Sequence, residues 1–270
     1  IPNSLGVPEE TTQNTIVLPY NNFESFEETI EREGDDIAAV IIEPVIANAG
    51  VILPKKGYLE MIRKLTRDKG IVLIFDEVIT GFRLAFGGAQ EYYDVVPDMV
   101  TLGKIMGGGF PLAAFGGRKE IMRMVAPTGK VYQAGTFSGN PISVTAGLAT
   151  LRIIQRKGSA FYRELELKNK SIGNVVQDLA EDYDFPVQVN AISSMFQFFF
   201  TNDKVYDYES AKKASRERFM KYHRDLLRNG IFVPPSQFET CFISSEHSEE
   251  DIRKTVEAAE ESVKNAVKNR

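Results

Sequence analysis

Apolar positions along this chain recur in two alternating rhythms, one helical and one continuous. In "NNFESFEETIEREG", Phe23, Phe26 and Ile30 fall on one helical face, and Gly34 can supply a left-handed stop. "IAAVIIEP" (37–44) is a β-branched run closed by Pro44, which predicts a buried strand. The helical rhythm returns in "YLEMIRKLTRDKG" with Leu59, Ile62 and Leu65, and Gly70 ends it. "IVLIFDEV" (71–78) predicts a second buried strand that finishes in acids. "DMVTLG" (98–103) and "LAAFGG" (112–117) predict two more. Strands alternating with helices imply an α/β fold, a mostly parallel sheet with helices on its faces.

From "SGNPISVTAGLATLRII" onward the pattern changes. Asn140 is a good N-cap and Pro141 suits the first turn of a helix. After about residue 155 a long polar helix leads to "FPVQVNAISSMFQFFFT", which reads as two strands and a turn. A helix over 208–229, strands near 231–233 and 240–244, and a closing helix follow. Ser248 and Asp251 have capping-box spacing, and Ile252, Val256, Ala259 and Val263 form the closing helix's apolar stripe. The chain thus divides into a large α/β part, 1–154, and a smaller α+β part, 155–270.

A length of 270 residues is enough for this division. The net charge of −5 and the lack of a basic run disfavour nucleic acid as a partner. No apolar stretch is long enough to span a membrane. The start, "IPNSLGVPEETTQ", lacks the basic and apolar regions of a signal peptide and an initiator methionine, so a processed or partial cytoplasmic chain is expected. The single cysteine, Cys241, forbids an internal disulfide and suits a reducing compartment. His223 and His247 are too scattered for a His-based metal site and read as surface or packing residues, so no metal is expected.

In open parallel sheets, ligands sit beyond the carboxyl ends of the strands. Asp76 and Glu77 end the most apolar strand, Lys104 ends the next, and "EPVIANAG" follows the first. A lysine there can form a Schiff base with an aldehyde, and a carboxylate on a neighbouring strand can hold a pyridinium nitrogen. The competing reading of Asp76 alone is a cap or an ion pair. Glu77 reads as structural. The bare "GGGFP" lets backbone lie close to a planar cofactor or a partner chain. "QAGTFSGNP" offers the Thr136 and Ser138 hydroxyls and backbone N–H groups before a helix N-terminus, a place for phosphate. Neither a nucleotide P-loop nor a dinucleotide fingerprint is present.

Taken together, "FDEVITGFR", "LGKIMGGGFPLAAFGG" and "YQAGTFSGNP" resemble the fold-type I pyridoxal phosphate enzymes of the class-III aminotransferase family. They are most similar to its glutamate-1-semialdehyde 2,1-aminomutases. Asn48 stands where many relatives carry glutamate, and "PPSQFETCFISSEHSEEDI" lacks the substrate-binding arginine of other branches. The resemblance implies Lys104 as the Schiff-base lysine and Asp76 as the partner of the ring nitrogen. It implies Val78 against the ring face and Asn48 near ring and substrate. Thr136 would reach the cofactor phosphate of the other subunit of a homodimer, and Glu239 would lie by the substrate entrance.

The implied cofactor is pyridoxal 5'-phosphate, cycling through its pyridoxamine form. The implied reaction moves an amino group within a small amino-aldehyde, giving 5-aminolevulinate for tetrapyrroles. The family's N-terminal portion, with a phosphate-binding turn, a ring-stacking aromatic and a carboxylate-gripping arginine, has no counterpart here. The chain therefore resembles the C-terminal part, and exposed sheet faces should favour oligomerisation or association with that portion. Ser193 and Ser194 replace glycines frequent among relatives. Two alternatives stay open: an ω-aminotransferase with a separate amino donor, and a non-catalytic fragment or partner subunit.

Overall fold

The computed structural model describes residues 4–268. In chain order the first part holds α1 (Glu9–Thr12), α2 (Phe23–Glu33), β1 (Ala39–Ile42), α3 (Tyr58–Asp68), β2 (Val72–Glu77), α4 (Gly88–Tyr93), β3 (Met99–Leu102), β4 (Ala114–Gly117) and α5 (Lys119–Met122). A long helix, α6 (Pro141–Asp182), is broken at Gly158 (φ 62°, ψ −158°). Beyond it lie β5 (Gln188–Ile192), β6 (Met195–Phe199), α7 (Tyr208–Lys212), α8 (Arg216–Arg228), β7 (Cys241–Phe242) and α9 (Glu249–Lys268).

The first sheet has the order β1-β2-β3-β4, with β1, β2 and β3 parallel and β4 antiparallel to β3. The second sheet, β5-β6-β7, is antiparallel throughout. Leu73 and Phe75 of β2 point to one face of the first sheet, where Phe26 and Ile30 of α2 and Tyr58, Leu59 and Ile62 of α3 pack on them. That layer explains the helical spacing seen in the sequence. The other face holds Ile41, Ile74 and Met99 side by side, then Asp76, Thr101 and Phe115. It is half exposed, with Ile41 at 65% and Phe115 at 41%.

Several local expectations hold. Asn140 caps α6 by accepting from the N–H groups of Ile142 and Ser143, with Pro141 in the first turn. At the start of α9, Ser248 Oγ accepts from Asp251 N–H at 3.1 Å and the Asp251 carboxylate accepts from Ser248 N–H at 2.8 Å. Ile252, Ala259 and Val263 are buried, and Val256 packs beside them. Others need correction. β1 is not a buried strand: it lies at the edge of the sheet, with one face open. Gly34 is not left-handed (φ −58°), so α2 ends in helical geometry, with Gly34 N–H donating to Ile30 O. The helix expected over 208–229 is two, because the Ser215 hydroxyl starts α8 afresh by accepting from Arg218 N–H. Residues 231–233 form no strand, and only Cys241–Phe242 of the expected 240–244 does. Cys241 is buried, which pushes its thiol pKa up to about 12.

Two smaller cores join the sheets. Val45, Ala47 and Val51 from the loop after β1, and Ile79 and Leu84 from the loop after β2, pack on Ile192 and Met195 of the second sheet. Ala49 and Ile52 pack on Phe199. The loops at the carboxyl ends of the parallel strands are thereby held against β5 and β6.

At the opposite, amino end, Asp98 is buried and accepts from Leu73 N–H at 2.9 Å, from Arg63 at 2.8 Å and from Arg118 at 3.2 Å. Burial alone would raise its pKa, but the Leu73 N–H and the two guanidinium groups outweigh it and hold the carboxyl below its usual range. The native state therefore favours ionised Asp98, and the stability it contributes is lost as pH falls through that depressed value. Asp98→Ala should lower the unfolding free energy by about 3–5 kcal/mol, measured by urea denaturation, because it leaves Arg63 buried without its partner. Asp98→Asn should flatten the acid limb of the stability profile.

Candidate active site

Alternation along β2 sends Leu73, Phe75 and Glu77 into the helix-covered face and Val72, Ile74 and Asp76 to the other. The two acids that end this strand therefore have separate environments. Glu77 is buried and accepts from Ala89 N–H at 2.5 Å, Thr80 Oγ1 at 3.1 Å and Gln90 N–H at 3.3 Å. It anchors the start of α4, the structural role expected for it. Burial pushes its carboxyl above the ordinary range, and these donors only partly offset that.

Asp76 faces the open side. Its Oδ1 accepts from Val78 N–H at 3.0 Å and from Thr101 Oγ1 at 3.2 Å, while Oδ2 has no hydrogen-bond partner among the described residues. Thr101 is the register partner of Asp76 on β3, and Lys104 follows three residues later in the same segment. Lys104 opens a 3₁₀ turn, Lys104–Gly107, instead of ending the strand itself. It sits at φ 46°, a left-handed conformation that costs a lysine on the order of 1–3 kcal/mol and persists only where its surroundings impose it. Its amine is exposed and makes no ion pair or hydrogen bond among the described residues. The Val78 side chain lies against Gly103, where a Cβ would meet Val78 Cγ1 at 3.3 Å. Val78 therefore fills the space between the carboxylate and the lysine segment.

The glycine loop does more than leave the backbone bare. At Gly108 (φ 57°) a Cβ would stand 2.1 Å from Thr150 Oγ1 and 3.0 Å from Ala146 O. The close approach here is to α6 of this chain, and it fixes the turn that begins at Lys104.

Asn48 is exposed beside the end of β1. Its Nδ2 donates to Glu43 Oε1 at 3.1 Å, while Glu43 Oε2 accepts from Ala47 N–H at 3.0 Å. The loop of Glu239 is stitched to this one: Thr240 Oγ1 donates to Ala47 O at 2.9 Å and Gly50 N–H to Phe238 O at 2.6 Å. Asn48 and Glu239 are thus on bonded neighbouring loops, with Glu239 exposed. Thr136 is not joined to this group. It lies with Ser138 in the exposed loop before α6, and no hydrogen bond links it to Asp76 or Lys104. Sequence reasoning missed Thr101 and Glu43. Their signal is positional: Thr101 lies opposite Asp76 once the strands are aligned, and Glu43 lies five residues before Asn48.

An exposed amine and a carboxylate with one free oxygen, on adjacent strand ends, can capture an aldehyde and hold a protonated ring nitrogen. The sequence matches the family described as Aminotransferase class-III over residues 3–255. The chain belongs to the class-III aminotransferase family. Curated relatives in this family include the glutamate-1-semialdehyde 2,1-aminomutases of Methanocaldococcus jannaschii and Persephonella marina. The first is 52% identical, covering 96% of this chain and 60% of the relative. The second is 50% identical, covering 98% and 61%. The chain thus spans about 60% of the length of the curated relatives it matches.

Among solved structures, an omega-transaminase from Sphaerobacter thermophilus superposes with a TM-score of 0.90 at 31% identity, covering 98% of this chain and 60% of that one. A glutamate-1-semialdehyde aminomutase from Pseudomonas aeruginosa, solved with PMP, gives 0.83 at 23% identity, covering 96% and 59%, and bears on the fold alone. The expected fold-type I architecture is therefore present, in the part that this chain covers.

Because burial keeps the folded-state pKa of Glu77 above its unfolded value, its contribution to stability is full below the ordinary carboxylate pKa. That contribution declines as pH rises through the raised value. Glu77→Gln should remove this decline, seen as a flatter dependence of the urea midpoint on pH above the ordinary carboxylate range. Glu77→Ala should cost about 1–3 kcal/mol at low pH, where the Glu77 contribution is full, since it strands the donors of α4.

Proposed function

We propose that the protein carrying this chain is a pyridoxal phosphate-dependent aminomutase, which converts glutamate-1-semialdehyde to 5-aminolevulinate in tetrapyrrole synthesis. The observation that carries this reading is the Asp76 carboxylate, whose Oδ2 is left open by two donors on Oδ1, one of them from Thr101, three residues before Lys104. The names of the relatives at about half identity support the substrate.

The cofactor supplies an electron sink for the carbon that loses a proton. The chain's own residues do the rest. The Lys104 amine would hold the cofactor through its aldehyde and, when free, would move protons as a general base. Asp76 Oδ2 would accept from the ring nitrogen and keep it protonated. Val78 would lie against the ring face. Asn48, steadied by Glu43, offers its amide to the polar edge of ring or substrate. Glu239, on the adjoining loop, stands at the entrance. Because the amino group moves within one molecule, no second amino donor is required.

We also read the assembly as a cytoplasmic homodimer with Thr136 reaching the partner's cofactor phosphate. Apolar side chains crowd the loop around Thr136, with Tyr132 84% and Phe137 79% exposed and Met124, Val131 and Ile142 beside them. So large an apolar surface fits a protein partner. A free, buried Cys241 suits a reducing compartment. The division into two units near residue 154 fits the separate sheets and the break at Gly158.

A second reading, an ω-aminotransferase, is favoured by the fold match to the Sphaerobacter thermophilus protein. The two separate on one assay. The aminomutase releases 5-aminolevulinate from its substrate with no added amine, whereas the transaminase releases a keto acid from an added donor. Titration with pyridoxal phosphate followed by borohydride should place a covalent label on Lys104, absent in Lys104→Ala. Label scattered over surface lysines, unchanged in the variant, sinks both enzymatic readings. Tyr132→Ser with Phe137→Ser should halve the mass seen by sedimentation if the loop is the subunit contact.

A further inference from the structure

We propose that Thr101 is a positioning residue for the reaction: its hydroxyl, donated across the strands, fixes Asp76 so that Oδ2 stays free for a ring nitrogen. This rests on the functional reading above and deepens it. Asp76 and Thr101 are register partners in the parallel pair β2–β3, so their side chains emerge on the same face of adjacent strands. Thr101 Oγ1 donates to Asp76 Oδ1 at 3.2 Å, and Val78 N–H donates to the same oxygen at 3.0 Å.

A lone backbone donor two residues along leaves a carboxylate free to pivot about that bond. A second donor, arriving from the neighbouring strand, removes the pivot. Both donors converge on one oxygen, so the other is the oxygen offered to a ligand. Threonine is well suited to this position, because its β-branched side chain has restricted χ1 freedom and its hydroxyl has one proton to give. No other acceptor competes for that proton among the described residues. Thr101 also belongs to the segment that presents Lys104, so one short stretch of chain orients the carboxylate and carries the amine.

The test uses the intact protein and four variants: Thr101→Val, Thr101→Ser, Asp76→Asn and the double variant Asp76→Asn with Thr101→Val. Valine keeps the branched shape and removes the hydroxyl; serine restores the hydroxyl. Pyridoxal phosphate affinity is measured by titration, and the absorbance of the bound cofactor is followed against pH. Thr101→Val should weaken binding on the order of tenfold, the effect of one hydrogen bond to a charged acceptor. It should also shift the pH midpoint of the absorbance upward, since a ring nitrogen that loses its proton more readily withdraws less. Thr101→Ser should return both toward the wild type. In the Asp76→Asn background, Thr101→Val should change neither.

A purely structural hydroxyl would lower thermal stability and leave affinity and pH midpoint where they were, and that result overturns the inference. A wild-type protein with no borohydride-trapped label at Lys104 overturns the functional reading and the inference with it. Thus the two failures are distinct.

Discussion

Asp98 is the constraint on which the site depends, although it lies at the far end of the sheet. Its carboxylate takes the Leu73 N–H of β2 and the guanidinium groups of Arg63 on α3 and Arg118 after β4. Its own backbone adds Asp98 N–H to Leu73 O and Arg118 N–H to Asp98 O. Strands β2, β3 and β4 and one covering helix are thus locked in a single register. Three residues further along β2, that register sets Asp76 opposite Thr101. A slip of one residue would exchange the faces of every side chain on a strand. Asp76 would then turn into the layer of Phe26, Leu59 and Ile62, where an unpaired carboxylate is costly. The placement of Asp76 at one end of the sheet is secured by an ion-paired acid at the other.

The carboxyl end is shaped by a different means. Its loops are long and irregular, and they acquire fixed positions by packing on the second sheet. Asn190 of β5 donates to Val51 O at 2.7 Å, and Ser193 Oγ in the β5–β6 turn donates to Arg83 O at 3.0 Å. Ser193 is itself left-handed (φ 50°), and Asn169 of α6 holds its carbonyl at 2.9 Å. The Ser193 hydroxyl thus adds a tether between the second sheet and the loop that follows Asp76. Arg83, in that loop, stacks its guanidinium 4.2 Å from the Phe242 ring centre, and burial lowers its pKa to about 10. The second sheet acts as a brace for the loops after β1 and β2.

Features set by near neighbours in the chain were legible in the sequence. The Asn140 and Ser248 caps, the stripe of α9 and the acids closing β2 all depend on residues within one or two turns. Features set by distant neighbours were not. β1 reads as buried because its composition is apolar, but burial depends on its place in the sheet order, and that place is the edge. The break at Ser215 was missed because a hydroxyl within a helical pattern can cap or continue it, and only packing decides. The Asp76–Lys104 pair could be guessed from strand ends alone. Thr101 could not, since an ordinary threonine in a strand becomes informative only after β2 and β3 are aligned.

The open face of the first sheet links stability to chemistry. Ile41 and Phe115 are exposed on the same face that carries Asp76, within a register that runs continuously from β1 to β4. Any layer laid over that face buries the apolar side chains and removes water from around Asp76 in the same step. Removal of water strengthens the attraction between a carboxylate and any cation it meets. Meanwhile the two donors on Oδ1 keep the charge satisfied as its surroundings become less polar. Covering the sheet and drying the Asp76 carboxylate are therefore one event, driven by the burial of the apolar side chains beside it.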